Sequence, residues 1–557
     1  MEIVSFSRFG YGGEIVKVET DLRRGIPATD IVGLPDGAVR EAKERVRAAI
    51  RNSSLEFPRE RILISLSPAD LKKEGSAFDL AIALSVLTAQ NEFPWENFPE
   101  PVLVLGELEL SGAVRRVRGT SSAVAGAAEA GIRVFLLPGE NRTEAGEIPG
   151  ARIFPVSTLA QAYGVLQELC LTQTPQQPPE APDSGKRKPE EYRVLWPEIP
   201  AAEGSLDDVE GQETLVRALT VAAAGGHHTI VYGPPGCGKT MAVTRFRSIL
   251  PKPDAATAAT ILRIRSIAGI SADKTEEENA AMSFRPAPAE DAEFPDAPFR
   301  APHPNCSLEG MAGGGKFCQP GEISLAHGGV LFLDETALFK ASVLQALRAP
   351  MEAGHITLSR AGRRTTFPAR FQLLAAMNPC PCGKFGVPGK ICTCTPAMVE
   401  KYWQQLTEPV LDRLDLRVEV PFPAKLPGAG GTDQTGGITG HTDRQNRLRT
   451  LRSQIARARL IQWERNRKPE RTYAGPDWLN ACLTPAEIPE VCILTAGAES
   501  LLQQAAEKNR LSGRSVHSLR KTARTIADLD ASDKIHGRHM EEALFFRTWS
   551  PSVPDFL

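Results

Sequence analysis

Residues 233–240 have the sequence GPPGCGKT, which matches the phosphate-binding pattern G-x-x-x-x-G-K-[ST]. The apolar run HTIVY precedes them and the helix-like run MAVTRFRSIL follows, which is the strand–loop–helix context that this pattern requires. Glycines let backbone N–H groups turn towards phosphate oxygens, and a helix N-terminus adds a potential that favours an anion. The pattern predicts nucleotide contacts along the whole loop, with the lysine at the β- and γ-phosphates and the threonine on Mg²⁺: Gly233, Pro234, Pro235, Gly236, Cys237, Gly238, Lys239 and Thr240.

Two later runs have the pattern of buried strands that end in polar side chains. In GGVLFLDE, four apolar residues lead to Asp334 and Glu335. Downstream of a phosphate-binding loop, this pair predicts that Asp334 holds Mg²⁺ and that Glu335 orients or deprotonates an attacking water. The run FQLLAAMN ends in Asn378, which in a sheet of this order would face the γ-phosphate and position the same water.

Two arginines stand where a bound anion would explain them. Arg413 lies in the short amphipathic segment PVLDRLDL with acids on both sides, and a local ion pair is the alternative explanation. Arg514 lies in the first turn of the predicted helix SGRSVHSLR, where the helix dipole does not favour a cation. A γ-phosphate would account for Arg514 there, and so would a surface contact.

Residues 380–394 hold two C-x-C pairs that a Gly/Pro-rich loop separates. Closely spaced pairs of thiolates are typical of tetrahedral structural zinc, and no histidine or carboxylate lies inside the segment to act as a general base. We predict a closed structural zinc site; an unliganded reduced loop and a disulfide or redox role remain the alternatives. The predicted ligands are Cys380, Cys382, Cys392 and Cys394.

The bulk composition restricts the class of protein. The chain has 557 residues, 42% of them hydrophobic, and a net charge of −2, so any nucleic-acid binding must come from a local basic surface. The N-terminus lacks a basic segment followed by an apolar one, and no run of about 18 apolar residues occurs. These features predict a cytoplasmic protein without a membrane span, in which disulfides are disfavoured.

Pattern changes along the chain predict its domain organisation. Residues 1–170 alternate strand-like and helix-like runs, and residues 171–191 are a linker rich in Pro and Gln. Residues 192–424 form a second α/β block that contains the cysteine loop. A flexible Gly/Thr-rich loop (425–442) leads to a mostly helical block (443–557).

Taken in this order, the motifs resemble the AAA+ superfamily, and their details resemble its magnesium-chelatase-like branch, the YifB/ComM family. The similar runs include IVGLPDGAVREAKERVRAAIRNS, PFRAPH, PGEISLAHGGVLFLDE and FPARFQLLAAMNPCPCG, and they extend over nearly the whole chain. The resemblance implies an α/β fold: an N-terminal domain like Lon protease and ribosomal protein S5, a P-loop domain with a parallel sheet, and a helical lid. It also implies a homo-hexameric ATPase that uses ATP and Mg²⁺.

For the ComM members, the resemblance implies a helicase that acts on single-stranded or branched DNA and drives branch migration in transformation or recombination. In this branch a β-hairpin precedes the Asn378 strand, and here HITLSRAGRRTTFPARF has that pattern, with Ala361-Gly362 near its tip. An earlier insertion, SLEGMAGGGKFCQPGE, would also enter a ring's channel. The candidate DNA contacts are Arg360, Arg363, Arg364 and Lys316, since cations suit a phosphate backbone; a solvated hairpin is the alternative.

The same resemblance suggests roles for the two arginines and the N-terminal domain. Arg413 looks like the arginine finger that reaches the ATP of a neighbouring subunit, and Arg514 looks like sensor 2, so hydrolysis would need oligomers. A Lon-type protease needs a Ser nucleophile and a Lys base. Ser76 lies near the nucleophile position, but no lysine occurs between Lys73 and Lys186. We therefore expect a non-proteolytic scaffold.

Three other functions fit parts of this pattern. A motor subunit of a metal chelatase would share the ATPase block, but the N-terminal domain and the long linker weigh against it. The missing lysine disfavours an ATP-dependent protease. A P-loop regulator that binds partners without translocating is the third alternative.

Overall fold

The computed structural model describes residues 2–73, 75–90, 98, 100–145, 151–171, 194–198, 204–270, 295–360, 363–406, 408–422, 436–467 and 475–547, with the backbone alone at 408–409 and 436–445. The predicted linker, apart from residue 171, and the hairpin tip Ala361-Gly362 lie outside these residues.

The N-terminal domain is built on a seven-stranded mixed sheet with the order β3-β4-β2-β1-β5-β8-β9. The strands of this domain, with β6 and β7 outside that sheet, are β1 Glu2–Phe9, β2 Gly12–Arg23, β3 Thr29–Val32, β4 Arg61–Ser67, β5 Pro101–Val104, β6 Glu107–Leu108, β7 Val114–Arg115, β8 Val134–Pro138 and β9 Arg152–Val156. Its helices are α1 Gly37–Asn52, α2 Asp79–Gln90, α3 Thr120–Glu129, α4 Arg142–Ala145 and α5 Leu159–Leu171.

Helix α1 forms where the sequence pattern predicts it. The Asp36 carboxylate accepts a hydrogen bond from the Val39 N–H and so caps the first turn. Val39, Val46 and Ile50 are buried along one face, whereas α2, whose sequence is nearly all apolar, is buried on almost every side. An amphipathic helix and a wholly buried one thus enclose the same core.

The second domain contains a five-stranded sheet with the order β11-β14-β17-β10-β18, and every neighbouring pair is parallel. The strands of this domain are β10 Thr229–Tyr232, β11 Phe299–Arg300, β12 Gly313–Gly314, β13 Gln319–Pro320, β14 Val330–Leu333, β15 His355–Arg360, β16 Arg363–Pro368, β17 Gln372–Met377 and β18 Leu416–Glu419. Strands β10, β14 and β17 are buried at every position, as continuous apolar runs in a parallel sheet require.

The helices of this domain are α6 Glu213–Gly225, α7 Lys239–Thr244, α8 Ala255–Ala268, α9 Leu308–Ala312, α10 Glu322–Leu325, α11 Ala341–Ala346, α12 Arg348–Ala353, α13 Pro396–Gln404 and α14 Glu408–Leu411. Helix α7 is shorter than the predicted MAVTRFRSIL. It continues as a 3-10 turn over Arg245–Ile249, which ends before Pro251, a residue that cannot donate a helix hydrogen bond.

The register of the sheet brings the predicted nucleotide motifs to one edge. Tyr232 at the end of β10 is paired with Met377 at the end of β17, and Leu333 at the end of β14 lies beside Ala375 of β17. We call this the carboxyl edge, and the opposite side, where these strands begin, the amino edge. In open parallel sheets ligands bind at the carboxyl edge.

The C-terminal block is helical: α15 Gly436–Asn466, α16 Ile488–Val491, α17 Ala496–Asn509, α18 Gly513–Leu529 and α19 Gly537–Phe545. It packs on α6, where the Arg459 side chain donates to the Ala223 carbonyl at 2.7 Å and Arg217 pairs with Glu542 at 2.7 Å. Helix α15 begins at Gly436, inside the segment 425–442 that the sequence predicts as a loop. The block fits the predicted helical lid.

Candidate functional site

The phosphate-binding loop connects β10 to α7 in the predicted strand–loop–helix arrangement. Gly236 and Gly238 have φ angles of +81° and +88°, in the left-handed region that favours glycine. The Lys239 ammonium is nearly buried and donates to the carbonyls of Gly233 at 2.6 Å and Pro234 at 2.8 Å. Burial lowers the pKa of Lys239, an effect that the nearby Cys237 and Asp334 oppose. The loop therefore keeps a desolvated cation at its centre.

The turn after β14 meets the loop directly. The Thr240 hydroxyl donates to the Asp334 carboxylate at 3.0 Å, and the other oxygen of that carboxylate accepts from the Glu335 N–H at 2.9 Å. Glu335 has φ 47° and ψ 47°, a left-handed conformation that costs a non-glycine residue on the order of 1 kcal/mol. The Thr336 hydroxyl donates to the Ala376 carbonyl at 3.1 Å and so anchors this turn to β17. Glu335 itself is exposed.

Asn378, which follows β17, completes the cluster. Its side-chain oxygen accepts a hydrogen bond from the Lys239 ammonium at 3.3 Å. The structure thus brings together five of the predicted catalytic and Mg²⁺-binding residues from three neighbouring strands: Lys239, Thr240, Asp334, Glu335 and Asn378.

The four predicted cysteine ligands converge, and their sulfur atoms all lie within 4.8 Å of one another. The Cys382 sulfur is 3.4 Å from that of Cys380 and 3.6 Å from that of Cys392. Four sulfurs about 2.3 Å from a tetrahedral zinc ion would lie about 3.8 Å apart. The spacing of the cluster therefore fits a zinc ion without rearrangement of the loop backbone.

Local hydrogen bonding favours a thiolate at Cys382, whereas desolvation raises the pKa of the other three thiols, Cys380, Cys392 and Cys394. The Lys384 backbone N–H donates a hydrogen bond to the Cys382 sulfur, with 3.5 Å between nitrogen and sulfur. This hydrogen bond is the main reason why the pKa of Cys382 is lowered to about 6. Cys380 is buried and Cys382 is exposed. None of the ten cysteines of the chain forms a disulfide. The thiolate form is the one that binds a metal.

The cysteine loop also contacts the phosphate-binding loop, which the sequence did not predict. A Cβ atom built on Gly383 would lie 3.4 Å from the Pro235 ring, and one on Gly386 would lie 3.4 Å from the Pro234 ring. On the other side, the Trp403 indole N–H donates to the Pro379 carbonyl at 3.0 Å. The loop therefore packs between α13 and the nucleotide loop.

Arg413, predicted as the arginine finger, and Arg514, predicted as sensor 2, both lie away from this cluster, at the amino edge. They line a cavity of about 380 Å³ with His228, Gly329 and Phe371, which stand just before β10, β14 and β17. The Arg413 side chain is only 9% exposed, and its guanidinium lies 2.7 Å from Oε1 of Glu352. The guanidinium of Arg514, in the first turn of α18, contacts the same oxygen.

Sequence reasoning missed Glu352. No spacing in the sequence ties a carboxylate on α12 to arginines on two distant segments. Only a contact map, or covariation among homologues, would have linked these positions.

The candidate DNA contacts lie on two elements, the predicted hairpin and the insertion that carries Lys316. Strands β15 and β16 form the predicted hairpin, in which Arg360 is paired with Arg363 and both Arg360 and Arg364 are exposed. The Arg363 guanidinium instead stacks 3.9 Å from the Phe9 ring centroid and lies 3.7 Å from the Glu14 carboxylate. Arg363 therefore contacts the N-terminal domain within its own chain.

The insertion that carries Lys316 forms a two-stranded ribbon from β12 and β13. The turn between β1 and β2 touches both predicted channel elements. Its Gly10 N–H donates to the Phe317 carbonyl at 3.2 Å, and its Tyr11 N–H donates to the Thr365 hydroxyl at 3.0 Å. The N-terminal domain thus supports the ribbon and the hairpin together.

The candidate protease residue of the N-terminal domain has a carboxylate as its partner. The Ser76 hydroxyl donates to Glu107 at 2.6 Å. Lys73 is fully buried, and its ammonium donates to the Pro68 carbonyl. These contacts agree with the expected non-proteolytic scaffold, which stays a prediction.

Among the helices that the structure describes, none combines the length and the apolar character that crossing a membrane would need.

Three family models match successive parts of the chain. "Subunit ChlI of Mg-chelatase" matches residues 18–141, "Magnesium chelatase, subunit ChlI" matches residues 205–426, and "Magnesium chelatase, subunit ChlI C-terminal" matches residues 446–547. These ranges cover parts of the N-terminal domain, the P-loop domain and the helical lid.

Two relatives match nearly the whole chain, and a third matches part of it. YifB of Salmonella typhimurium is 36% identical over 538 residues, which are 97% of this chain and 95% of that protein. Competence protein ComM of Haemophilus influenzae is 35% identical over 547 residues, 98% and 97% of the two chains. Lon protease 2 of Herpetosiphon aurantiacus is 27% identical over 145 residues, 25% of this chain and 17% of that protease. The chain therefore belongs to the YifB/ComM family of magnesium-chelatase-like AAA+ ATPases.

Proposed function

We propose that the chain is a subunit of a homo-hexameric ring that hydrolyses ATP to move on single-stranded or branched DNA, as a helicase or branch-migration motor in transformation or recombination. ATPase activity follows from the family, and the name of the competence protein ComM motivates the DNA role. One observation carries the proposal: the candidate residues are divided between the two edges of one sheet. The nucleotide-binding residues lie at the carboxyl edge, and Arg413 and Arg514 lie at the amino edge.

At the carboxyl edge, the proposed role of Lys239 is to bind the β- and γ-phosphates of ATP. Phosphate oxygens would take the place of the loop carbonyls that its ammonium now contacts at 2.6 and 2.8 Å. Thr240 and Asp334 offer the oxygen ligands that Mg²⁺ prefers, and bound Mg²⁺ neutralises charge on the phosphates.

We assign Glu335 to orienting and deprotonating the attacking water, and Asn378 to holding that water near the γ-phosphate. Glu335 is exposed at the end of β14, and Asn378 is within hydrogen-bond reach of Lys239. Their proximity to the phosphate-binding loop supports these roles.

We assign Arg413 and Arg514 to the ATP of a neighbouring subunit. Both lie at the amino edge of their own sheet, opposite their own phosphate-binding loop. An arginine at that position can stabilise transition-state charge only on another chain's nucleotide, so hydrolysis requires assembly.

We propose that Arg360, Arg364 and Lys316 contact the DNA backbone in the channel of the ring. All three side chains are exposed, and the Lys316 ammonium also lies 5.0 Å from the Phe317 ring centroid. Contacts of such cations with phosphates weaken as salt rises. Arg363 is left out of this set, because its guanidinium already binds Phe9 and Glu14.

We further propose a structural Zn²⁺ ion on the four cysteines and a location in the cytoplasm. The spacing of the sulfurs and the lowered pKa of Cys382 support the metal site. Ten cysteines without a disulfide fit a reducing compartment.

A second candidate function is the motor subunit of a metal chelatase, which the names of the matching family models favour. In that case partner subunits and a porphyrin, rather than DNA, would raise the rate of ATP hydrolysis. A non-translocating regulator would respond to neither.

The test is ATP hydrolysis and strand separation on a forked DNA substrate. We expect DNA to raise turnover, and the double variant Arg360→Ala/Arg364→Ala to lower DNA affinity about tenfold at fixed salt with basal turnover kept. The matched control Arg40→Ala/Arg59→Ala removes two exposed arginines from the N-terminal domain and should bind DNA normally. A protein that neither binds DNA nor hydrolyses ATP faster in its presence is not a DNA motor.

A further inference from the structure

The amino edge contains a carboxylate that contacts both candidate trans-acting arginines. Glu352 is near the end of α12, and its Oε1 atom lies 2.7 Å from the Arg413 guanidinium and also contacts that of Arg514. The two arginines belong to different elements, the segment before β18 and the first turn of α18. One oxygen atom therefore joins the P-loop domain to the lid.

Charge explains why such a carboxylate is needed. Two guanidinium groups that converge on one point repel each other, and a carboxylate between them offsets the repulsion. Arg413 is nearly buried, so its charge has lost much of its hydration. Arg514 stands at a helix N-terminus, where the dipole disfavours a cation.

The backbone next to Glu352 is closely packed. Helix α12 ends at Ala353, and its C-cap residue Gly354 has a φ angle of +70° and leads directly into β15. A Cβ atom on Gly354 would lie 2.7 Å from the Arg370 side chain, so the turn is closely packed. The position of Glu352 is thus tied to the base of the β15–β16 hairpin.

The surroundings of the pair leave one face open. The Arg514 side chain is 46% exposed and that of Glu352 is 44% exposed. Asp412, the other nearby acid, lies 4.0 Å from the Arg514 guanidinium and also contacts the hydroxyls of Ser512 and Ser515 and the Arg547 guanidinium. A phosphate of a neighbouring subunit could therefore reach Arg514 directly, while Glu352 keeps the nearly buried Arg413 beside it.

We propose that Glu352 is a positioning residue that holds Arg413 and Arg514 in the arrangement needed to act on a neighbouring subunit's ATP. This inference rests on the proposed trans role of the two arginines. Glu352 touches no nucleotide group of its own chain, since the phosphate-binding loop is at the other edge of the sheet.

The test compares Glu352→Gln with wild type and with Arg413→Ala. We expect Glu352→Gln to lower kcat about tenfold or more, while KM for ATP and nucleotide binding stay within about twofold, because the binding loop is untouched. Glu352→Asp, which keeps the charge, should recover part of the lost turnover. The matched control Glu499→Gln breaks another lid ion pair, with Arg520 at 3.3 Å, and should keep full turnover.

Two results would overturn the inference. If Glu352→Gln kept the kcat of the wild type while Arg413→Ala was inactive, the arginines would need no such partner. Loss of turnover together with loss of assembly in gel filtration would show that Glu352 is structural and not positioning. Full turnover in Arg413→Ala is a different outcome, which refutes the trans role itself and with it the proposed division of the sheet edges.

Discussion

The two edges of the P-loop sheet hold their cations in different ways. At the carboxyl edge, Lys239 is nearly buried and donates to backbone carbonyls and to Asn378, all of them neutral acceptors. At the amino edge, Arg413 and Arg514 share the charged carboxylate of Glu352. At the first edge, neutral acceptors contact the cation and Asp334 lies nearby, which suits an anion that binds from within the subunit. At the second edge, two guanidinium groups share one carboxylate and keep a net positive charge, which suits an anion that arrives from outside.

The edges also differ in how their geometry is maintained. The carboxyl edge is a continuous loop, supported by the cysteine loop on one side and by the turn at Glu335 on the other. The amino edge is a junction of three elements, α12, the segment before β18 and the lid helix α18. Substitutions at the carboxyl edge should therefore change nucleotide binding. Substitutions at the amino edge should change turnover and leave nucleotide binding as it is.

The largest effect is expected from Lys239→Ala. This change removes the only side-chain cation of the loop, so we expect ATP binding and hydrolysis both to fall below detection. Titration with a fluorescent ATP analogue checks binding, and phosphate release checks turnover. Normal nucleotide affinity in this variant would contradict the assignment of the carboxyl edge.

The second prediction concerns Arg413→Ala, which should bind ATP as wild type does and yet lose turnover, because its own loop is intact. Mixing it with Lys239→Ala subunits should restore part of the activity, since some interfaces then combine an intact loop with an intact Arg413 from the neighbour. Phosphate release from each variant alone and from the mixture is the measurement. A mixture that assembles but stays as inactive as its components would argue against action between subunits.

A smaller effect is expected from the cysteine loop, which lies between α13 and the carboxyl edge. Metal analysis should find about one zinc per chain, and Cys392→Ser should lose it. Because the loop supports Pro234 and Pro235, this variant should raise KM for ATP several-fold and lower kcat less. Cys306→Ser, outside the cluster and partly exposed, is the control. A metal-free protein with normal fold and normal KM would rule out the zinc site.

Much of the fold followed from local patterns. The buried strands before Asp334 and Asn378, the capped helix after Asp36 and the hairpin around Arg360 are confirmed, because hydrophobic period and cap residues act over a few neighbouring positions. The start of α15 was misplaced, since its first residues are rich in Gly and Thr, which is typical of a loop, whereas the helix begins at Gly436.

The candidate site was only partly accessible to the same reasoning. The cysteine pairs predicted four sulfurs in one place, and they converge. Their contact with Pro234 and Pro235, the ion pairs of Glu352 and the stacking of Arg363 on Phe9 were not foreseen. Each joins segments far apart in the chain, and no periodicity or spacing encodes such a contact.

The sequence by itself determined the chemistry of the carboxyl edge. The phosphate-binding loop is one uninterrupted segment, and its conformation depends on glycines and a helix start that are neighbours in the chain. The family followed from the same motifs. Only the tertiary structure decided that Arg413 and Arg514 lie at the opposite edge on a shared carboxylate. The reason is physical: which charges neutralise each other depends on how whole elements pack, and that packing follows from the buried core and not from the charged residues.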